Sequence, residues 1–91
     1  MPSIDIKRSH SLPLAAAREK VQRVADHIAE RFDVDCTWEG NTLQFRRSGV
    51  EGEIKLGAKQ VHVVAELGFL LSALRGTVER EVNRYLDEEF G

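Results

Sequence analysis

The sequence predicts an α+β fold: a single antiparallel sheet with two helices on one face, in the order β-α-β-β-β-β-α. Three observations predict it. Two segments, one in the first third and one at the end, repeat apolar residues at steps of three and four. The stretch between them alternates with period two and is broken by turn residues at three places. Taken independently, those three turns put the large apolar residues of four strands on one common side.

The first element is Ser3–Arg8, where Ile4 and Ile6 alternate with Asp5 and Lys7, the signature of a half-buried strand. Ser9–Pro13 interrupts the pattern and supplies a helix start. Ser11 is the expected N-cap, and Pro13 is tolerated in a first turn whose N–H groups lack helical partners anyway. Leu14, Ala17, Val21, Val24, Ala25, Ile28 and Phe32 then form one stripe, with Arg18, Gln22, Arg23, Asp26 and Arg31 on the other side. This is an amphipathic helix ending near Phe32.

The middle of the chain reads as a four-stranded meander. Gly40-Asn41 suits a two-residue hairpin turn with glycine first, which sets Trp38 opposite Leu43 and Cys36 opposite Phe45. Ser48-Gly49 makes the next turn and sets Phe45 opposite Gly52 and Leu43 opposite Ile54. A four-residue loop, Gly57–Gln60, sets Leu56 opposite Val61, Ile54 opposite Val63 and Val50 opposite Leu67. Strand side chains have period two, so a one-residue slip at any turn would scatter this apolar face. The other face is polar, with Thr37, Thr42, Gln44, Arg46, Glu51, Glu53, Lys55, His62 and Glu66. Arg46 is expected between Asp35 and Glu51 of neighbouring strands.

The closing helix carries Leu74, Val78, Val82, Leu86 and Phe90 at helical spacing, flanked by Tyr85. Gly76 leaves its start open by a turn, since glycine inside a helix costs about 1 kcal/mol relative to alanine. The expected core comprises Trp38, Leu43, Phe45, Ile54, Val63, Val78, Val82 and Leu86.

Ninety-one residues imply one domain, 1–91, with a small core. The hydrophobic share of 42% and the charged share of 31% belong to a globular protein and exclude a fibre, a disulfide scaffold and a disordered tail. The longest uncharged apolar run, Leu67–Leu74, is far below the roughly 20 residues of a membrane span. A net charge of −2 offers no basic field to nucleic acid, so no nucleic-acid partner is expected. The single cysteine, Cys36, and the absence of a basic-then-apolar leader at Met1–Ser11 fit a cytoplasmic location.

Catalytic readings meet obstacles at each candidate. Cys36 shares the core parity of Trp38 and Phe45, while His62 lies on the opposite face, so Cys36 reads as a buried, inert thiol. His10, His27 and His62 fall on a loop, a helix and the polar sheet face without metal-ligand spacing. Arg46, Glu51 and Glu66 cluster on the polar face, with Lys7 expected nearby. Two carboxylates there could share a proton, but beside cations and open to water they read as a solvated charge ladder. Arg47, on core parity at a sheet end, either clamps a carboxylate or snorkels over the rim, and the second is the plainer reading. No glycine spacing cradles a phosphate. The sequence therefore predicts no enzyme, no metal and no organic cofactor.

Gly68-Phe69-Leu70-Leu71 follows a strand already matched to its partner, so it should overhang the sheet. Phe69 and Leu71 either fold inward under the second helix or stay on the surface. Leu70 takes the opposite parity, on the side of Val64. Phe69, Leu70, Leu71 and Val64 are thus the candidate contact for a partner or for a second copy in a weak homodimer.

His10-Ser11-Leu12 before an alanine-rich helix, Trp38-Glu39-Gly40 before a strand, and Phe45-Arg46-Arg47-Ser48-Gly49-Val50-Glu51-Gly52 form one ordered set. Leu67-Gly68-Phe69-Leu70-Leu71, then Leu74-Arg75-Gly76 before a charged helix, form another. Together they resemble the bacterial polyhydroxyalkanoic acid system proteins, the polyhydroxyalkanoate granule region family, across nearly the whole chain. The element order is also similar to a shortened helix-grip fold of the START and Bet v 1 class, which implies strand order 2-3-4-5-1. The family resemblance implies a place beside polyhydroxyalkanoate synthase and granule proteins, with the granule or its proteins as partners, and assigns no catalytic residues. The expected function is a non-enzymatic accessory or binding protein at the granule. The alternatives are a small carrier of acyl chains, which the helix-grip likeness implies, and, more remotely, an enzyme acting on hydroxyacyl chains.

Overall fold

The described residues of the computed structural model run from Ser3 to Phe90, with Leu70 described by its backbone alone. The chain forms β1 (Ile4–Ser9), α1 (Leu14–Phe32), β2 (Asp35–Glu39), β3 (Thr42–Arg47), β4 (Val50–Leu56), β5 (Gln60–Leu67) and α2 (Arg75–Phe90). A 3-10 helix, Phe69–Leu74, leads into α2. All pairings are antiparallel, in the order β1-β5-β4-β3-β2, as the α+β reading requires.

The register argument holds at every turn. Trp38 faces Leu43, Phe45 faces Gly52, Leu56 faces Val61 and Val50 faces Leu67. Gly40 at φ 62° and Gly49 at φ 86° occupy the left-handed region that lets each two-residue turn close. The loop before β5 is one residue shorter than expected, because Gln60 already pairs, with Ser9. Gly52 permits the tightest approach in the sheet: a Cβ there would lie 2.5 Å from Phe45 Cζ and 2.6 Å from the Val64 carbonyl oxygen. The Phe45 ring therefore lies over a position where no side chain fits.

Helix α1 begins without the expected Ser11 cap. Pro13 occupies the N-cap position with no side-chain hydrogen bond, and Ala17 N–H reaches the Pro13 carbonyl at 2.9 Å. Proline has no N–H to satisfy, so the entry costs one fewer unpaired donor. The helix stops at Asp33, which adopts φ 57° and donates its N–H to the Ala29 carbonyl, a left-handed C-cap.

Ile4, Val21, Val24, Leu43, Ile54, Val61, Val63 and Leu86 are fully buried between the helical layer and the sheet. Helix α1 packs on α2 and over β4 and β2, while α2 covers β1. Two of the expected core residues, Trp38 and Val78, sit at the margin of the core and pack against it. Trp38 is only half-buried, because β2 is an edge strand with a neighbour on one side, and its Nε1 donates to Gln22 Oε1 at 2.6 Å. Val78 is half-buried as well, one turn from the start of α2. Tyr85, placed at the flank of the stripe, is buried instead and stacks on His27 at 4.9 Å between ring centroids.

Candidate functional site

The expected overhang does not extend the sheet. Gly68 N–H donates to Gly49 O at 2.7 Å, and the chain then turns into the 3-10 helix rather than continuing with strand parity. Leu71 N–H closes on Gly68 O at 3.0 Å and Ser72 Oγ donates to Phe69 O at 2.8 Å, so the turn is held by its own hydrogen bonds and by the β3–β4 turn. In this geometry residues three apart share a side. Leu71 and Leu74 face the sandwich, whereas Phe69 is thrown outward and is 92% exposed.

Leu71 and Leu74 line an apolar slot of about 70 Å³ at this end of the fold. Ile28, Phe32, Phe45, Leu67 and Val78 are among its other walls. Leu74 remains 48% exposed at its edge and Phe69 is exposed on the same 3-10 turn, so this turn carries an apolar rim. The slot is well under the roughly 300–1,000 Å³ of ordinary small-molecule sites. Leu71 sits against the Gly49 turn, with its Cδ1 3.1 Å from where a Cβ would stand.

The four residues expected to make one contact patch separate into different places. Phe69 is at the surface and Leu71 turns inward. Val64 lies on the polar sheet face between Asp5 and Glu53. The side chain of Leu70 lies outside the described residues, so that part of the expectation has no structural counterpart. Leu74 is the rim residue that strand parity missed, and the i, i+3 spacing from Leu71 is the signal that could have found it.

Arg47 is placed by its guanidinium at the same end. Its Nη1 donates to the carbonyl of Phe32, the last residue of α1, at 2.9 Å. A cation there satisfies an unpaired helix carbonyl and meets the negative end of the helix dipole. Arg47 thus snorkels over the rim and caps α1.

On the polar face, register puts Arg46, Glu51 and Glu66 in one cross-strand row, with Asp35 opposite Arg46. Arg46 Nε lies 3.6 Å from Glu51 Oε1, with both side chains more than two-thirds exposed. Lys7 is not beside them; it pairs with His62, which pairs with Lys55. The row borders a broad, open hollow of about 830 Å³ that also reaches Thr37, Gln44 and Gly68. Its size comes from openness to water, and its walls carry both charge signs, so it concentrates no single chemistry. His62 Nε2 meets Asp5 Oδ1 at 2.6 Å, an exposed imidazole–carboxylate pair flanked by Lys7 and Lys55 rather than by a nucleophile. Among the described residues no three His, Cys, Asp or Glu side chains group to hold a metal.

His10 serves the chain crossing instead. Its Nε2 meets Gly57 O at 2.9 Å and its Nδ1 accepts from Leu12 N–H at 3.2 Å, tying the β1–α1 connection to the β4–β5 loop. Cys36 Sγ points at Ala25 O, 3.9 Å away. Its thiol pKa is raised, first by burial and then by the charges of Asp26 and Asp35, which keeps it protonated and unreactive.

A family model, that of the polyhydroxyalkanoic acid system proteins, matches residues 4–90. The chain belongs to this family. The match takes in every strand and helix described above, including the 3-10 turn that carries Phe69. No curated protein and no solved structure matches the chain. The family name links the chain to the polyhydroxyalkanoate system, and no described helix is long and apolar enough to cross a membrane.

Proposed function

We propose that this protein is a non-enzymatic accessory protein of polyhydroxyalkanoate metabolism that docks on the polyester granule surface through the apolar rim around Phe69. The observation that carries the reading is Phe69 itself, an aromatic ring 92% exposed on a turn whose backbone is pinned to the β3–β4 hairpin. A pinned turn presents its ring without a further cost of ordering the backbone on contact. Burying one large apolar side chain is worth about 1.5–3 kcal/mol; Phe69 is almost wholly exposed and Leu74 about half, so together they supply roughly 2–4.5 kcal/mol, the scale of a weak, reversible surface association. The small volume of the slot weighs against the carrier alternative, because an acyl chain of ordinary length would need more room than about 70 Å³. The polar face supports no reaction in particular, since its charged row is solvated and mixed in sign.

The test is co-sedimentation of the protein with polyhydroxybutyrate particles, lipid-free and protein-free. The wild type should partition to the particles, and Phe69→Asp with Leu74→Asp should lose at least tenfold in affinity while keeping the wild-type circular dichroism spectrum. Equal partitioning of the folded double variant overturns the reading. Partitioning that needs a second granule protein would move the partner from polymer to protein.

A further inference from the structure

We propose that the free edge of β1 pairs with β1 of a second copy, joining two sheets into one ten-stranded sheet about a two-fold axis. Strand β1 ends the sheet, so one side of its backbone has no strand partner among the described residues. His10 N–H donates to Lys59 O at 2.9 Å, which fixes the alternation of the β1–β5 ladder. Arg8, Ile6 and Ile4 therefore bond inward to β5, and Asp5 and Lys7 turn their N–H and C=O groups outward.

Charge selects one register among those this alternation permits. Antiparallel self-pairing with Ile6 on the two-fold axis sets Asp5 opposite Lys7 of the second copy, twice, with about four backbone hydrogen bonds between them. A shift by one bonded step either way places Lys7 opposite Lys7 or Asp5 opposite Asp5, which is repulsive. Both side chains lie on the polar face and are exposed. Asp5 Oδ1 already meets His62, and its second oxygen remains for the incoming ammonium. The opposite edge, β2, behaves differently. It offers Asp35, Thr37 and Glu39 on that face, so the only charges self-pairing brings together are acidic. Ile4–Ser9 contains no proline and no bulge interrupts its pairing, so what guards this edge is charge, and in the Ile6-centred register the charges Asp5 and Lys7 attract. Ile4 and Ile6 are already covered within each copy, so the dimer gains little apolar burial and is weak and salt-sensitive.

The experiment is sedimentation velocity at low salt over a concentration series reaching the millimolar range, on wild type, Asp5→Lys, Lys7→Asp, the double variant, and an equimolar mixture of the two singles. Each single variant opposes like charges and should weaken self-association at least tenfold. The double variant and the mixture restore opposite charges at both pairs and should recover it. A wild type that stays monomeric, single variants that dimerise as well as wild type, or a mixture that fails to recover would each overturn the proposal. Concentration-dependent protection of the Asp5 and Lys7 amides in wild type gives a reading that needs no variant to fold, and its absence overturns the proposal equally. The Phe69 and Leu74 substitutions leave this edge untouched, so dimer formation and particle binding fail separately.

Discussion

The same substitution, glycine to alanine, should have opposite signs at Gly52 and Gly76. At Gly52 the new methyl carbon would lie 2.5 and 2.6 Å from two carbons of the Phe45 ring and 2.6 Å from the Val64 carbonyl oxygen. The ring is itself buried, and the oxygen belongs to a paired strand, so neither moves aside cheaply. Overpacking of this kind costs about 1–3 kcal/mol. The loss of unfolded-chain freedom returns about 0.4–1 kcal/mol, leaving a net destabilisation of roughly 1–2 kcal/mol. For a domain of this size that lowers the melting temperature by roughly 5–15 °C. At Gly76 nothing lies within 4 Å of a Cβ, and the residue is helical. Alanine there should stabilise by up to about 1 kcal/mol. Urea unfolding followed by circular dichroism reads both. A third protein tests the cause: in a Phe45→Leu background, Gly52→Ala should cost less than in wild type, because part of the clash has been removed. A Gly52→Ala midpoint at or above the wild-type value would refute the packing assigned to Phe45, and with it the tight approach of β3, β4 and β5.

Two further expectations concern the β2 edge. The Cys36 thiol has a raised pKa in the folded protein, so the unfolded chain releases that proton first as pH rises; stability is whole below the ordinary thiol range, near 8.5, and declines above it through the folded value. Unfolding midpoints measured from neutral to alkaline pH should show a slope that Cys36→Ser removes. Arg18 stacks over Trp38 at 3.9 Å and donates to Gly40 O at 2.8 Å, so Arg18→Ala should cost about 0.5–1 kcal/mol and shift Trp38 emission to the red as water reaches the indole; unchanged emission would deny the stacking.

Most of the sheet was legible because its constraints are redundant. Leu43 must face Trp38, Ile54 and, through Ile54, Val63, and no other set of turns satisfies all three. The 3-10 turn was not legible for the opposite reason. Leu67, Phe69 and Leu71 repeat every second residue, as a strand would, and nothing local forbids that continuation. The chain turns because Gly68 approaches the Gly49 backbone, where a Cβ on Gly68 would stand 3.3 Å from Gly49 Cα. That contact joins residues far apart in sequence, and a single sequence does not display it. The role of Arg47 was hidden similarly: its parity placed it at the core edge, but the Phe32 carbonyl it caps is set by where α1 ends. Trp38 packs against the core as its parity requires, but parity does not register that an edge strand is covered on one side only, which leaves part of the indole exposed.

The location of the apolar rim constrains how a dimer could use it. Phe69 follows the C-terminal end of β5, at the same end of the sheet as the start of β1, because the two strands are antiparallel with Ile4 opposite Ala65. A two-fold axis through Ile6 and normal to the sheet reverses strand direction. The two Phe69 rims of a β1-paired dimer therefore lie at opposite ends of the joined sheet. If each rim faces out along its strands, one flat surface does not touch both, and pairing would bring no gain in avidity for a single granule. It would let one dimer touch two apolar surfaces at once. In a mixture of polyester particles and protein, the wild type should then cross-link particles, and the Lys7→Asp variant should coat them without cross-linking. Light scattering separates these outcomes. Equal clustering by both proteins would show that the rim and the β1 edge do not act together in this way.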